Sequence, residues 1–537
     1  MDSRATDRLT FFLLAVIFGA GWFLVGAGRN TPVIDDWVYS WSVEHFLRTG
    51  ELRVLEYSGT YPVAQVLWAA LFGKLLGFSF ATLHLATVTL SAIGCWAWYL
   101  TLRELDVDAR ASLLATLALV FNPVFFALSF SFMTDAPFVS ASNVAVYCLV
   151  SAARRDRPGR LWIGCAIAVA AFLIRPLGVA IPIAALVALP WRASGRPWRL
   201  WQTTAAEWIA PPVCAIAAMA ALWIVTTRTM GQADWQTIRM ENLRWWTSIP
   251  LTQYAGWNVR ILCETMFPLA PVLLAALFSR RSAVIASGII AVAIAIVLSV
   301  TLREIPSPLP NWQTWSLQDI GARAMLTGVA ATSAWSARVT PWLRGVSLLV
   351  IAAAIVGLAG VRNAAPEDRR GAGLLVALAA LHLILVNTLW LYNDRYYIVF
   401  APLVAYLATR LGPMRLWIAG PLLALWACVA VTGARDMLGV NDTAGGIARR
   451  LEASGVKPWE IDAGYAWNGW RLYAHPENLA PGGDPQSDVP FVTSDAPSPY
   501  AIANSPQPGY EVVAVVPLTD ATWQATRQLY VLKRRTP

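Results

Sequence analysis

Apolar runs of membrane-spanning length recur along almost the whole of this sequence, and they decide its fold class before any single residue does. A helix needs about 20 apolar residues to cross the hydrocarbon of a bilayer. Hydropathy places such segments near 9–28, 81–102, 111–129, 136–153, 161–175, 177–190, 204–227, 259–279, 283–302, 345–361, 372–390, 396–409 and 416–433. With 57% hydrophobic and 14% charged residues over 537 positions, against roughly 25% charged in soluble domains, the chain cannot clothe a globular surface in polar side chains. A soluble enzyme, a small secreted scaffold and a disordered chain are excluded. The expectation is an all-α polytopic membrane protein of about 13 transmembrane helices.

The formal charge of +9 reports topology, not nucleic-acid binding. Arg154, Arg155, Arg157 and Arg160, then Arg192, Arg196 and Arg199, then Arg280 and Arg281, then Arg362, Arg369 and Arg370, then Arg410 and Arg415 fall between apolar runs on one side. The positive-inside rule makes that side the cytoplasm, with the N-terminus. An odd number of spans sends the segments 29–80, 228–258 and 303–344, and everything after about residue 434, to the other face. The expected location is therefore a bacterial-type inner membrane, with the C-terminal domain extracytoplasmic. The run from Leu9 to Gly28 is too long for a cleaved signal and reads as a retained first helix. All six cysteines lie in apolar runs, so no disulfide framework is expected.

Three stretches carry structure beyond plain spans. In the first outer loop (29–80), Tyr39, Val43, Phe46 and Leu47 and, after Pro62, Val63, Val66, Leu67, Ala70, Leu71 and Leu75 recur at helical spacing, which predicts two amphipathic juxtamembrane helices. Trp37, Trp41 and the tryptophans of later outer loops suit the headgroup level. The pair 161–175 and 177–190 reads as a hairpin broken at Arg175-Pro176, and 321–335 is apolar enough for a further or re-entrant piece. Residues 434–537 form a small α/β domain outside, distinct from the membrane domain 1–433. It begins with a helix capped at Asp442 or Thr443 and stopped at Gly455, and continues with strand-like pieces at 461–466, 491–493, 511–516 and 529–532 beyond and around a Pro/Ser/Asp-rich connector, 481–508. Its aromatic cluster, Tyr465, Trp467, Trp470 and Tyr473, is expected to form its own core.

Charge near hydrocarbon is costly and usually functional. Under this topology the ionisable residues at outer span ends are Asp35, Asp36, His84, Asp135, Arg175, Glu264, Asp394 and Arg395. Asp35-Asp36 and Asp135 also have an ordinary reading as helix N-caps, and the arginines as snorkelling side chains.

In combination these residues carry a resemblance. Asp35-Asp36-Trp37-Val38-Tyr39 resembles the Asp-Glu-x-x-Tyr pattern after the first helix of GT-C glycosyltransferases, in the protein O-mannosyltransferase and lipid A aminoarabinose transferase branch. Thr134-Asp135-Ala136 is similar to that branch's second acidic motif, and Asp394-Arg395-Tyr396-Tyr397 followed by Pro402 to its Arg-Tyr-x-x-x-x-x-Pro signature. The resemblance implies an inverting transferase that moves a sugar from a polyprenyl-phosphate donor to an acceptor hydroxyl on a lipid, glycan or protein. It implies Asp35 as general base and Asp135 as a second catalytic carboxylate that orients acceptor or sugar hydroxyls, with Asp36, Tyr39, His84, Arg175, Arg395 and Tyr396 binding substrates. The chain departs from the family where Tyr61, not Lys or His, precedes Pro62, and where His84 stands for an Arg. Lys74, on the second loop helix, is a further candidate for a lipid headgroup. No nucleotide loop occurs, and no cofactor or obligatory metal is expected, an Asp35/Asp135 metal site being the one alternative. The rival readings are a secondary transporter, which would show repeated halves and mid-membrane charges, and a surface-polysaccharide ligase or polymerase.

Overall fold

The structure, a computed structural model, describes residues 3–189, 203–234, 250–301, 326–328, 334–361, 366–387, 394–490, 498–519 and 527–535. In chain order the helices are α1 (Ser3–Val25), α2 (Asp36–Thr49), α3 (Val63–Leu76), α4 (Phe80–Glu104), α5 (Ala109–Val120), α6 (Pro123–Ser129), α7 (Asp135–Arg155), α8 (Pro158–Phe172), α9 (Ala180–Ala188) and α10 (Thr203–Thr229). There follow α11 (Leu251–Met266), α12 (Ala270–Leu277), α13 (Arg281–Thr301), α14 (Ala334–Val361), α15 (Pro366–Asn387), α16 (Ala401–Leu411), α17 (Leu416–Ala453) and the single turn α18 (Tyr465–Asn468). Every expected span has a helical counterpart among the described residues, but the helices differ in length. Seven are long and apolar enough to cross a membrane, or eight if α5 and α6, bent by 69°, count as one. Of the outer-loop tryptophans, Trp235, Trp245, Trp246, Trp312 and Trp315 lie outside the described residues, as does most of 321–335.

Local sequence sets the helix starts. Ser79 accepts from Thr82 N ahead of α4, Asp108 from Arg110 N and Ala111 N ahead of α5, and Asn122 from Val124 N and Phe125 N ahead of α6, each satisfying orphan donors of a first turn. The hairpin breaks where expected: α8 ends at Phe172, and a 3-10 turn, Pro176–Val179, leads into α9. Gly178 is needed there, because a Cβ would stand 2.4 Å from Phe172 N.

Helix α7 is the axis of the bundle. Of its apolar window 83% is buried, against 17% for α13, which faces lipid along most of its length. Against α7, α4 comes so close that a Cβ at Gly94 would lie 2.4 Å from Ser140 Cα. Over about 30 Å α7 runs from Asp135 to Arg154 and Arg155, which pair with Asp106 and Glu104 respectively. Acid and arginine clusters therefore sit at opposite ends of one helix.

The first loop is tied into the bundle more deeply than surface helices would be. Asp36 is fully buried: Oδ1 accepts from Phe132 N at 2.9 Å, and Oδ2 lies 3.0 Å from His84 Nε2, whose Nδ1 faces Ala27 O at 3.3 Å. Burial is the main influence on the Asp36 carboxyl and holds it above the usual carboxylate range, opposed by the His84 and backbone contacts. Both His84 nitrogens thus face an oxygen. Helix α3 turns Val63, Val66, Ala69, Ala70 and Gly73 inward and leaves Leu67, Leu71 and Leu75 exposed. The apolar stripe read from sequence thus divides, with Val63, Val66 and Ala70 against protein and Leu67, Leu71 and Leu75 on the outside. Small residues allow close approach to α2, and the leucines and Lys74 face out.

The C-terminal domain does not start with a capped helix. Helix α17 is unbroken for 38 residues across 433/434, with Asp442 and Thr443 inside it. Asp442 there accepts from Thr31 Oγ1 at 3.3 Å and lies 3.7 Å from Arg29 Nε. The expected stop holds, with Gly455 at φ +99°. Beyond it, β1 (Ile461–Asp462), β2 (Tyr500–Ala503), β3 (Tyr510–Pro517) and β4 (Gln528–Arg534) form a sheet in the order β1-β2-β4-β3, with only β1 and β2 parallel. Strand β2 falls in the stretch read as a connector, and the piece at 491–493 lies outside the described residues. Thr327, the described middle of 321–335, bridges to Ala503 and donates to Asp462 Oδ2 at 2.6 Å, so that portion joins this sheet and not the membrane.

The aromatic cluster is shared between domains, which corrects its reading as the C-terminal domain's own core. Trp467 does pack there, against Ile447 and Ile461. Tyr465 and Tyr473 instead surround Trp37 with Tyr57, at ring distances of 5.8, 5.5 and 5.2 Å. Trp37 is consequently fully buried and not a headgroup anchor.

Three outcomes follow from these contacts. Gly94→Leu drives a side chain into the α7 backbone and lowers the thermal unfolding midpoint in detergent, by about 1–3 kcal/mol of stability. His84→Ala strands the buried Asp36 carboxyl and lowers stability by about 2–4 kcal/mol, with proteolytic protection of the first loop lost first. Burial, with Glu56 and Asp234 nearby, pushes the Tyr473 phenol from 10.0 up to about 12. Because the folded-state value is the higher one, this contribution is complete below pH ~10 and is lost as pH rises towards about 12. An unfolding series over that window falls less steeply for Tyr473→Phe than for wild type.

Candidate active site

Asp35 stands immediately before α2, where an acid would ordinarily cap the helix, but its side chain makes no capping bond. The residue before it, Ile34, has φ +51°, a left-handed conformation rare for a β-branched side chain and strained by roughly 1–2 kcal/mol. That kink turns Asp35 away from α2, while Asp36 points into the bundle. Asp35 Oδ2 accepts from Arg395 Nη2 at 3.0 Å, and Oδ1 accepts from the Tyr465 hydroxyl at 2.7 Å.

Asp135 is the first residue of α7, following Thr134, and its side chain is almost completely buried. It lies 2.9 Å from Arg175 Nη2 and 4.0 Å from Arg395 Nε. Arg175 comes from the break between α8 and the 3-10 turn, and its Nε donates to Thr134 Oγ1 at 2.8 Å. Arg395 comes from the 3-10 segment Asp394–Phe400 that leads into α16. The Tyr396 ring lies near both cations, its centroid 5.1 Å from the Arg175 guanidinium carbon and 5.6 Å from that of Arg395, an arrangement that favours two like charges close together. Tyr39, one turn into α2, is buried within electrostatic range of Arg395.

Of the eight residues expected at the site, the structure thus gathers Asp35, Asp135, Arg175, Arg395, Tyr396 and Tyr39 at one end of the bundle. Asp36 and His84 pair with each other inside it. Of the other ionisable residues at span ends, Glu264 is buried on α11; the Asp394 side chain lies outside the described set. Two carboxylates face two guanidiniums, so the formal charge is balanced. The Asp35 side chain is 20% exposed and that of Asp135 1%, so of the two carboxylates only Asp35 is open to solvent. Among the described residues no group of three or more His, Cys, Asp or Glu gathers as for a metal ion. Sequence reasoning gave Tyr465 and Thr134 no contact of their own at this site. A tyrosine 430 residues from its partner leaves no local signal beyond an aromatic cluster in a polar domain.

Residues 62–223 match the family model described as dolichyl-phosphate-mannose-protein mannosyltransferase. The match spans Asp135 and Arg175, and Asp35 and Arg395 lie outside it. No curated protein matches the sequence. Among solved structures, ArnT from Cupriavidus metallidurans bound to undecaprenyl phosphate is 17% identical, with 97% of each chain covered and a TM-score of 0.43. The Archaeoglobus fulgidus oligosaccharyltransferase in its apo form is 13% identical over 91% of this chain and 62% of its own, at a TM-score of 0.42. Arabinosyltransferase EmbB from Mycobacterium smegmatis is 13% identical over 85% and 43%, at 0.34. The sequence similarity of residues 62–223, under a third of the chain, is thus to a family of mannosyltransferases described by their dolichyl-phosphate-mannose donor.

Proposed function

We propose that this protein is an inverting glycosyltransferase that moves a sugar from a polyprenyl-phosphate donor to an acceptor hydroxyl at the outer face of the membrane. The observation that carries the reading is Arg395, set between the reachable carboxylate of Asp35 and the buried one of Asp135, with Arg175 completing the balance. A sugar phosphodiester needs a cation for its departing phosphate and no acid, and the attacking hydroxyl needs a base. Asp35 takes the hydroxyl proton as the oxygen attacks the anomeric carbon. The bond to the phosphate breaks on the opposite side, and its electrons leave with the phosphate, held by Arg395 and Arg175. Asp135 keeps the two guanidiniums in place, and Tyr396 lies against both. Tyr39 borders the donor site. Asp36 and His84 hold the backbone that presents Asp35.

Sidedness rests on the distribution of arginines. The site lies at the end of α7 opposite Arg154 and Arg155, and the positive-inside rule assigns the arginine end, with the N-terminus, to the cytoplasm. The site and the C-terminal domain then face outward, in an inner membrane. The donor is consumed without cofactor or obligatory metal, and the acceptor is a lipid, glycan or protein.

The test uses purified full-length protein, a set of radiolabelled polyprenyl-phosphate sugars and a membrane-extract acceptor pool, and measures release of polyprenyl phosphate. Asp35→Asn lowers turnover by about 10²–10⁴-fold, the usual contribution of a general base, while donor binding persists. Arg395→Ala raises the KM for donor. Full activity of Asp35→Asn would overturn the assignment of the base, and no consumption of any donor by wild type would overturn the reaction class.

A further inference from the structure

Among the described residues, Tyr465 is the hydrogen-bond partner of Asp35 that comes from outside the membrane domain. Its hydroxyl is 2.7 Å from Oδ1, and with Arg395 on Oδ2 both carboxylate oxygens are fixed. The segment bearing Tyr465 is built to hold that position. Asn468, fully buried, donates to Asp462 Oδ1 at 2.7 Å and to Pro490 O at 3.0 Å, and accepts from Ala463 N at 3.0 Å. The next five residues, Gly469–Tyr473, form a π-helical turn, a form rare in proteins and frequent at functional sites. Gly469 lies so tightly against the Trp37 indole that a Cβ would come within 2.2 Å of it. Trp37 is two residues from Asp35, so the clamp fixes both partners of the bond relative to each other.

Packing alone would be served by a phenylalanine. The tyrosine hydroxyl supplies a charge-assisted bond to a carboxylate, and burial, with the Asp35 charge beside it, holds the phenol well above its usual range, so it remains a donor. We propose that Tyr465 is a positioning residue for the transfer reaction: it holds one oxygen of Asp35 so that the other meets the acceptor hydroxyl, and the C-terminal domain thereby completes the active centre in cis. The inference rests on Asp35 being the base. Tyr465 itself neither gains nor loses a proton in the cycle.

The experiment uses full-length Tyr465→Phe, with Tyr473→Phe as the control that removes a neighbouring hydroxyl not bonded to Asp35. The first readout needs no substrate: the rate at which a membrane-soluble carbodiimide labels Asp35, located by mass spectrometry. Loss of a hydrogen bond to a charged group predicts about tenfold faster labelling in Tyr465→Phe, with the control at the wild-type rate. The second readout is turnover of the radiolabelled polyprenyl-phosphate sugars, in which Tyr465→Phe lowers kcat about tenfold and leaves the donor KM unchanged. Wild-type labelling, or faster labelling with kcat within twofold of wild type, would overturn the proposal, as would equal effects in the control. If Asp35→Asn is fully active, the base assignment fails on that variant, and the labelling rates still decide whether Tyr465 governs the carboxylate.

Discussion

Arg395 sits where a charge is hardest to keep, almost wholly buried at the end of an apolar bundle, and it stays because carboxylates from two distant parts of the chain meet it there. Removing a guanidinium from water is expensive unless opposite charges and hydrogen bonds replace the solvent. Asp35, from the first loop, and Asp135, from the head of α7, supply that replacement, and Arg175 balances the second carboxylate. The demand for neutrality thus specifies how four separate elements converge: the loop before α2, the start of α7, the α8–α9 break and the segment leading into α16. Each is an irregularity in an otherwise helical chain, and irregular backbone at this depth is tolerated where protein encloses it.

Three consecutive residues show how one short segment serves three environments. Asp35 faces the arginines, Asp36 the interior and Trp37 the C-terminal domain. The strained Ile34 makes the first of these directions possible by breaking the path that would have made Asp35 an ordinary cap. The buried Asp36–His84 pair and the Trp37–Gly469 contact then hold the segment from two sides. Under the proposed function such restraint favours the reaction, because small misplacements at a reacting centre lose large factors in rate.

Much of this was readable in the sequence where the signal is local. Span-length apolar runs gave the helices, Arg175-Pro176 gave the break, and the motifs around Asp35, Asp135 and Arg395 pointed to residues that the fold brings together. What escaped depends on partners far along the chain. His84 has the composition of a phosphate ligand and the position of a buried strut, and only the neighbouring Asp36 distinguishes the two. Asp442 and Thr443 look like a cap because capping residues are recognised by type, yet within α17 they serve contacts to Thr31 and Gly439 instead. Helix α3 is apolar on both faces, so periodicity could not say which stripe meets protein and which meets lipid. Strand β2 was hidden in a Pro/Ser/Asp-rich stretch because its order comes from pairing with β1 and β4.

The unbroken α17 has a mechanical consequence. A 38-residue helix is about 57 Å long, longer than a bilayer, and it runs on into the C-terminal domain. Spanning helices respond to bilayer thickness by tilting, and a helix unbroken beyond Pro421 hands that tilt on to whatever it carries. Here it carries the segment that meets Asp35 and Trp37. The thickness of the surrounding lipid thereby becomes part of the geometry around Asp35.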